Sequence, residues 1–152
     1  MTAETGSKHE ATRRDTNFLS KSPHNRSKDT AAEAASAGCQ RDRPRVLMAN
    51  ELRAYREGIA VVISQLRPEV EIMIVEPNVL ATSIGRFSPD MVICSKATAA
   101  LKGGVRLWVE LYPQNAALSV ASICGRRKEY AEIQLLDLLS IVDRAEELAG
   151  AN

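Results

Sequence analysis

Two short stretches of this chain end in side chains that could do chemistry. The apolar run Val46–Ala49 stops at Asn50-Glu51, and the apolar run Met91–Cys94 stops at Ser95. Of these three side chains Glu51 alone is a carboxylate. Ser95 is a weak nucleophile unless a base activates it, and both histidines, His9 and His24, lie in the polar N-terminal stretch. The simplest role for Ser95 is a strand-end hydroxyl bonded to nearby backbone. No catalytic residue and no metal ligand set is assigned, so the reading is of a protein that is not an enzyme and needs no cofactor.

Two other groups invite a chemical reading. Arg126, Arg127 and Lys128 follow the last apolar strand, and at the carboxyl-end rim of an open sheet they could receive an anion or a nucleotide. No Gly-rich phosphate loop accompanies them, which favours a solvated loop paired with Glu51, Glu129 or Glu132. Cys39, Cys94 and Cys124 are odd in number and widely spaced, a pattern of reduced thiols rather than a disulfide framework. With one strand between them, Cys94 and Cys124 would stand about 10 Å apart, beyond disulfide reach, and both read as small apolar fillers.

Composition divides the chain. Residues 1–44 hold 8 of the 20 bases and 6 of the 19 acids, with Phe18 and Leu19 as the large apolar residues after Met1. Such a segment cannot bury enough surface to offset its ordering entropy, so it reads as a disordered polar tail ahead of one domain over 45–149. The rest keeps 12 bases and 13 acids, a near-neutral balance without a nucleic-acid footprint. There is no basic start leading into an apolar run, and no apolar stretch near the roughly 18 residues that a bilayer demands. A cytoplasmic protein is expected, with no membrane and no nucleic acid as partner.

The elements that must position these groups alternate. A buried strand at Val46–Ala49 leads to a helix from about Glu51 to Leu66, with Asn50 as its predicted cap and Leu52, Tyr55, Ile59, Val62, Ile63 and Leu66 as its stripe. An edge strand over Val70–Val75, a short helix over Val79–Phe87 and a strand at Met91–Cys94 follow. This order is the signature of a parallel sheet with right-handed crossovers. Thr98–Lys102 makes a short helix that Gly103-Gly104 should break, and Leu107–Tyr112 is a fourth strand. Only Pro113–Ala117 separates it from the next strand, Leu118–Ile123, whereas a parallel crossover needs about a dozen residues. These two strands therefore form an antiparallel pair or are joined by something other than a helix. A long helix over Ala131–Leu148 closes the chain, with Leu135, Leu138, Leu139, Val142 and Ala145 inward and Ile133, Leu136 and Ile141 widening its apolar arc.

The run Arg45-Val-Leu-Met-Ala-Asn50-Glu51, the following Arg56-Glu57-Gly58, and Pro89-Asp90 before a strand ending in Ser95 resemble the opening half of a bacterial response-regulator receiver domain. The likeness is to receivers that carry a helix-turn-helix output. It covers about residues 45–96 well and 105–149 loosely. It implies an α/β, three-layer, flavodoxin/CheY-like fold with a mostly parallel five-stranded sheet, here lacking the fourth helix. It also implies that Asn50-Glu51 stands where an acidic pair holds magnesium, and that Ser95 replaces the phosphoacceptor aspartate. Leu111-Tyr112-Pro113 falls where a small hydroxyl residue belongs, and Ser122-Ile123-Cys124 where a lysine belongs.

The expected function is that of a degenerate, or pseudo-, receiver in two-component signal transduction, acting through a protein partner without phosphoryl transfer. A second copy of the chain is one such partner. Lacking the fourth helix, the sheet near Trp108 should be less covered, and Trp108 with Ile133, Leu136 and Ile141 is the expected interface. The competing class is a small α/β ligand- or nucleotide-binding domain that uses the basic rim at 126–128.

Overall fold

The computed structural model describes residues 43–113 and 116–151. The polar tail expected over 1–44 therefore lies, except for its last two residues, outside the described part, as do Cys39, His9 and His24. The order of elements is β1 (Arg45–Ala49), α1 (Arg53–Leu66), β2 (Glu71–Ile74), a 3-10 turn (Pro77–Val79), α2 (Leu80–Phe87), β3 (Met91–Cys94), α3 (Ala99–Gly104), β4 (Leu107–Glu110), β5 (Ser119–Ile123), β6 (Arg126–Tyr130) and α4 (Leu135–Gly150). The sheet has six strands in the order β2-β1-β3-β4-β5-β6. β1 pairs in parallel with β2 and β3, and β3 with β4, while β5 runs antiparallel to β4 and β6 antiparallel to β5. The α/β class holds. The expected five-stranded, mostly parallel sheet is replaced by a mixed one, because the short link after β4 can only turn the chain back.

Strand alternation sorts the core into two layers. Val46 and Met48 of β1, Met91 and Ile93 of β3, and Leu107 and Val109 of β4 meet Ala60 and Ile63 of α1 and Leu138, Ile141, Val142 and Ala145 of α4. The alternate residues Leu47, Ala49, Val92, Cys94 and Trp108 meet Leu80 and Phe87 of α2 and Leu101 of α3. Helices thus lie on both faces of the sheet. Among the described residues no α-helix joins β4 to β5, as expected, yet the sheet is not left open there. Trp108 is 4 % exposed, packed with Leu101 and Val105, because the six-residue α3 supplies cover that the sequence reading gave only to the missing helix.

Polar contacts fix the ends. Arg45 donates its backbone N–H to Asp90 Oδ2 at 2.8 Å and its guanidinium to Glu71 Oε2 at 2.9 Å and to the Phe87 carbonyl at 2.6 Å, so the start of β1 is tied to both neighbours. Thr98 caps α3 by accepting from Leu101 N at 3.3 Å, and Gly103-Gly104 complete that helix instead of breaking it. α4 begins at a capping box between Gln134 and Asp137. Leu135, expected to face inward, is 44 % exposed. Arg67 at the end of α1 donates from Nε and Nη2, one edge of its guanidinium, to the two carboxylate oxygens of Asp143 of α4 and holds that carboxyl below the usual range.

The β5–β6 hairpin turns on Cys124-Gly125, with φ of 49° and 82°. Two consecutive positive φ values are the geometry of the tight hairpin turns that match strand twist, and a residue with a Cβ is strained there. Cys124→Asn is expected to stabilise the domain by about 0.5–1 kcal/mol, since Asn tolerates this region far better. A thermal melt should show a rise of a few degrees. A lower midpoint would mean that the thiol makes contacts outweighing the backbone strain.

Candidate functional site

The crossover through α1 packs on one face and the crossover through α2 on the other, so the chain changes sides between β1 and β3. At such a switch point the loops after the two strands part and leave a crevice beyond their carboxyl ends. Here that crevice is a cavity of about 310 Å³ lined by Asn50, Glu51, Leu52, Tyr55, Ser95, Leu111, Tyr112, Ala116 and Ala117.

The predicted trio of Asn50, Glu51 and Ser95 does come together. Ser95 Oγ accepts from the backbone N–H of Glu51 at 3.0 Å and from Asn50 Nδ2 at 3.4 Å. Asn50 is buried and is not the cap of α1; that position falls to Leu52, which makes no side-chain cap. The amide forgoes the helix because the Ser95 hydroxyl, brought alongside by β3, is the nearer partner. Its Oδ1 has no partner among the described residues. Glu51 is exposed at the rim.

Beneath them lies Arg56, 2 % exposed, which donates to the Asn50 carbonyl at 2.7 Å and ion-pairs with Glu76 before the 3-10 turn. The guanidinium thus holds the backbone of the β1–α1 loop against the β2–α2 connection. Tyr112 closes the far side with φ of 46°, its N–H donating to Ser119 Oγ at 3.2 Å and its hydroxyl to the Ile133 carbonyl at 3.3 Å. A tyrosine held in the left-handed region is uncommon and has no local sequence signal. Its ring meets Tyr55 edge-on, centroids 5.9 Å apart. Burial, and then the neighbouring Tyr112, push the Tyr55 phenol up to about 12.

The other predicted groups lie elsewhere. Arg126, Arg127 and Lys128 are in β6, an exposed edge strand, with Arg126 opposite Ile123 and Lys128 opposite Ala121. The reversal of β5 carries its end to the amino ends of the parallel strands, so the cluster begins on the rim opposite the cavity. The alternative reading put this cluster at the carboxyl-end rim, and the strand directions put it at the other end of the sheet. For the same reason the comparison of Ser122-Ile123-Cys124 with a receiver's lysine fails, and the part of β5 near the cavity is Ser119. Of the expected interface, Trp108, Ile133 and Ile141 are buried in the domain's own core and only Leu136 is exposed, at 78 %.

Cys94 fills the core as expected, but Cys124 is exposed in the hairpin turn. Burial, and then Glu110, push the Cys94 thiol up to about 12. That raised value contributes stability in full below the ordinary thiol pKa, lost as pH rises toward 12. Iodoacetamide at pH 8 is therefore expected to alkylate Cys124 and spare Cys94 in the native protein, and to reach both in urea. Peptide mass mapping reads the difference, and native labelling of Cys94 would show that β3 opens readily.

The fold and site define a three-layer α/β domain with a partly apolar crevice at its topological switch point. No protein-family model, no curated protein and no solved structure matches the chain. Among the described residues no group of three or more His, Cys, Asp or Glu could hold a metal ion, and no helix is long and apolar enough to cross a membrane.

Proposed function

We propose that this is a receiver-like regulatory domain that takes no phosphoryl group and acts by binding a protein partner. The observation that carries the reading is Ser95 at the end of the third strand, its oxygen already accepting from Glu51 N and Asn50 Nδ2. In a receiver an aspartate in that place attacks phosphorus while two acids and a magnesium ion neutralise charge. Here the corresponding groups are a hydroxyl, an amide and one exposed carboxylate. They lack both the nucleophile and the cation-binding charge for acyl phosphate chemistry. An apolar strip remains for a partner: Leu52, Tyr55, Leu135 and Leu136 are exposed on α1 and the start of α4, with a hollow of about 300 Å³ lined by Tyr55, Ile59, Val62 and Leu135 among others. Large exposed apolar groups clustered in this way mark contact surfaces.

Incubation with acetyl phosphate and magnesium is expected to leave the intact mass unchanged. A phosphoryl adduct that hydroxylamine removes would place an acyl phosphate on a carboxylate and overturn the reading.

A further inference from the structure

We propose that the cavity at the carboxyl ends of β1, β3 and β4 binds a small, uncharged, planar aromatic molecule bearing a hydrogen-bond acceptor and a donor side by side, as an aromatic carboxamide or lactam does. The inference goes beyond the regulatory reading and does not rest on it, since it needs only the cavity and its lining.

Size and surface come first. A volume of about 310 Å³ lies at the lower end of the range for small-molecule pockets, roughly 300–1,000 Å³. Leu52, Leu111, Ala116 and Ala117 give it apolar walls. Tyr55 and Tyr112, set edge-on to each other with centroids 5.9 Å apart, add two aromatic rings to the lining, with which a flat aromatic ring can pack.

The polar end decides the functional group. Ser95 Oγ accepts from Glu51 N at 3.0 Å, which holds the hydroxyl in place with its hydrogen still to offer. Asn50 is 1 % exposed and its Oδ1 meets no donor among the described residues, an arrangement that native interiors rarely leave unrelieved. The terminal torsion of asparagine is soft, so a turn of the amide presents Oδ1 to the cavity at the cost of the long 3.4 Å contact from Nδ2, while Ser95 keeps its bond from Glu51 N. One donor and one acceptor then sit next to each other, complementary to the C=O and N–H of a carboxamide.

Charge excludes the alternatives. Glu51 is the one charged side chain among the described lining residues, and neither Lys, Arg nor His accompanies it. A phosphate or carboxylate would face that acid with no counter-charge in a site of reduced dielectric. An ammonium would depend on Glu51, which stands exposed at the rim where water screens its charge.

The test is a titration of the intact 152-residue chain with benzamide, followed by backbone amide chemical shifts, with benzoate and benzylammonium run in parallel. Benzamide is expected to give saturable shifts confined to the neighbourhood of Asn50, Ser95, Leu111 and Tyr112, and benzoate to bind about tenfold more weakly or worse. Ser95→Ala should weaken benzamide about tenfold through the loss of one hydrogen bond, and Ala117→Trp should abolish binding by filling the cavity, each variant keeping the parent's circular dichroism. Shifts that fail to saturate or spread over the surface would overturn the proposal. So would benzoate or benzylammonium binding as tightly as benzamide, or benzamide binding unchanged in Ala117→Trp. Acetyl phosphate labelling would defeat the regulatory reading while leaving these outcomes untouched.

Discussion

Arg56→Ala is expected to lower the unfolding free energy by about 3 kcal/mol. The guanidinium is buried and donates to the Asn50 carbonyl at 2.7 Å, so its removal strands a buried acceptor and also empties the space of a long side-chain stem. The ion pair itself contributes little, because the Glu76 side chain is 63 % exposed and its charge is screened by water. Glu76→Gln should therefore lose only about 1 kcal/mol, since a neutral acceptor can still meet the guanidinium. Urea denaturation of the two variants separates the contributions. Equal losses would mean that the charge pair, rather than the buried carbonyl, dominates. Because Arg56 holds the loop that carries Asn50 and Glu51, its loss should also disturb the amide resonances of Ser95.

Leu107→Ala should destabilise by about 3–4 kcal/mol, the upper part of the range for truncating a fully buried leucine. Leu107 is inaccessible to solvent and sits where β4 packs toward α4, opposite Ile123 of β5. Its neighbours on the sheet are fixed by ladder hydrogen bonds on both sides, so they cannot close the resulting void. Set against a total stability of roughly 5–15 kcal/mol, the loss should move the urea midpoint by about 1–3 M. A shift under about 0.5 M would show that the layer between the sheet and α4 collapses into the space, and that packing there is looser than the burial implies. Leu136→Ala, at an exposed position of the same helix, is the control and should change stability by less than about 0.5 kcal/mol.

The first half of the fold was legible in the sequence because its signals are local. Val46–Ala49 and Met91–Cys94 are continuous apolar runs, and only a strand buried on both faces needs that. The apolar spacing of α1 gave the helix but not its buried face, since of the expected stripe Ile63 is buried while Leu52, Tyr55 and Leu66 are exposed; the short link after Tyr112 excludes a parallel crossover by length alone. The meeting of Asn50, Glu51 and Ser95 also followed, since strand tips in a parallel sheet share one rim. What the sequence could not decide depended on partners far along the chain. Asn50 looks like a helix cap until β3 brings Ser95, 45 residues away, to its side. β6 was missed because Arg126–Tyr130 is an exposed edge strand, so no apolar period marks it, and Cys124-Gly125 lacks the Asn or Asp of a typical tight hairpin. The reversal of β5, which removed the basic cluster from the cavity rim, and the covering of Trp108 by a six-residue helix are likewise outcomes of packing. So is the Tyr112 backbone, held at positive φ by bonds to Ser119 and Ile133. The sequence by itself determined which segments are buried and in what order; the tertiary structure decided which ends of them face one another, because that rests on strand direction and on long-range hydrogen bonds that no local pattern encodes.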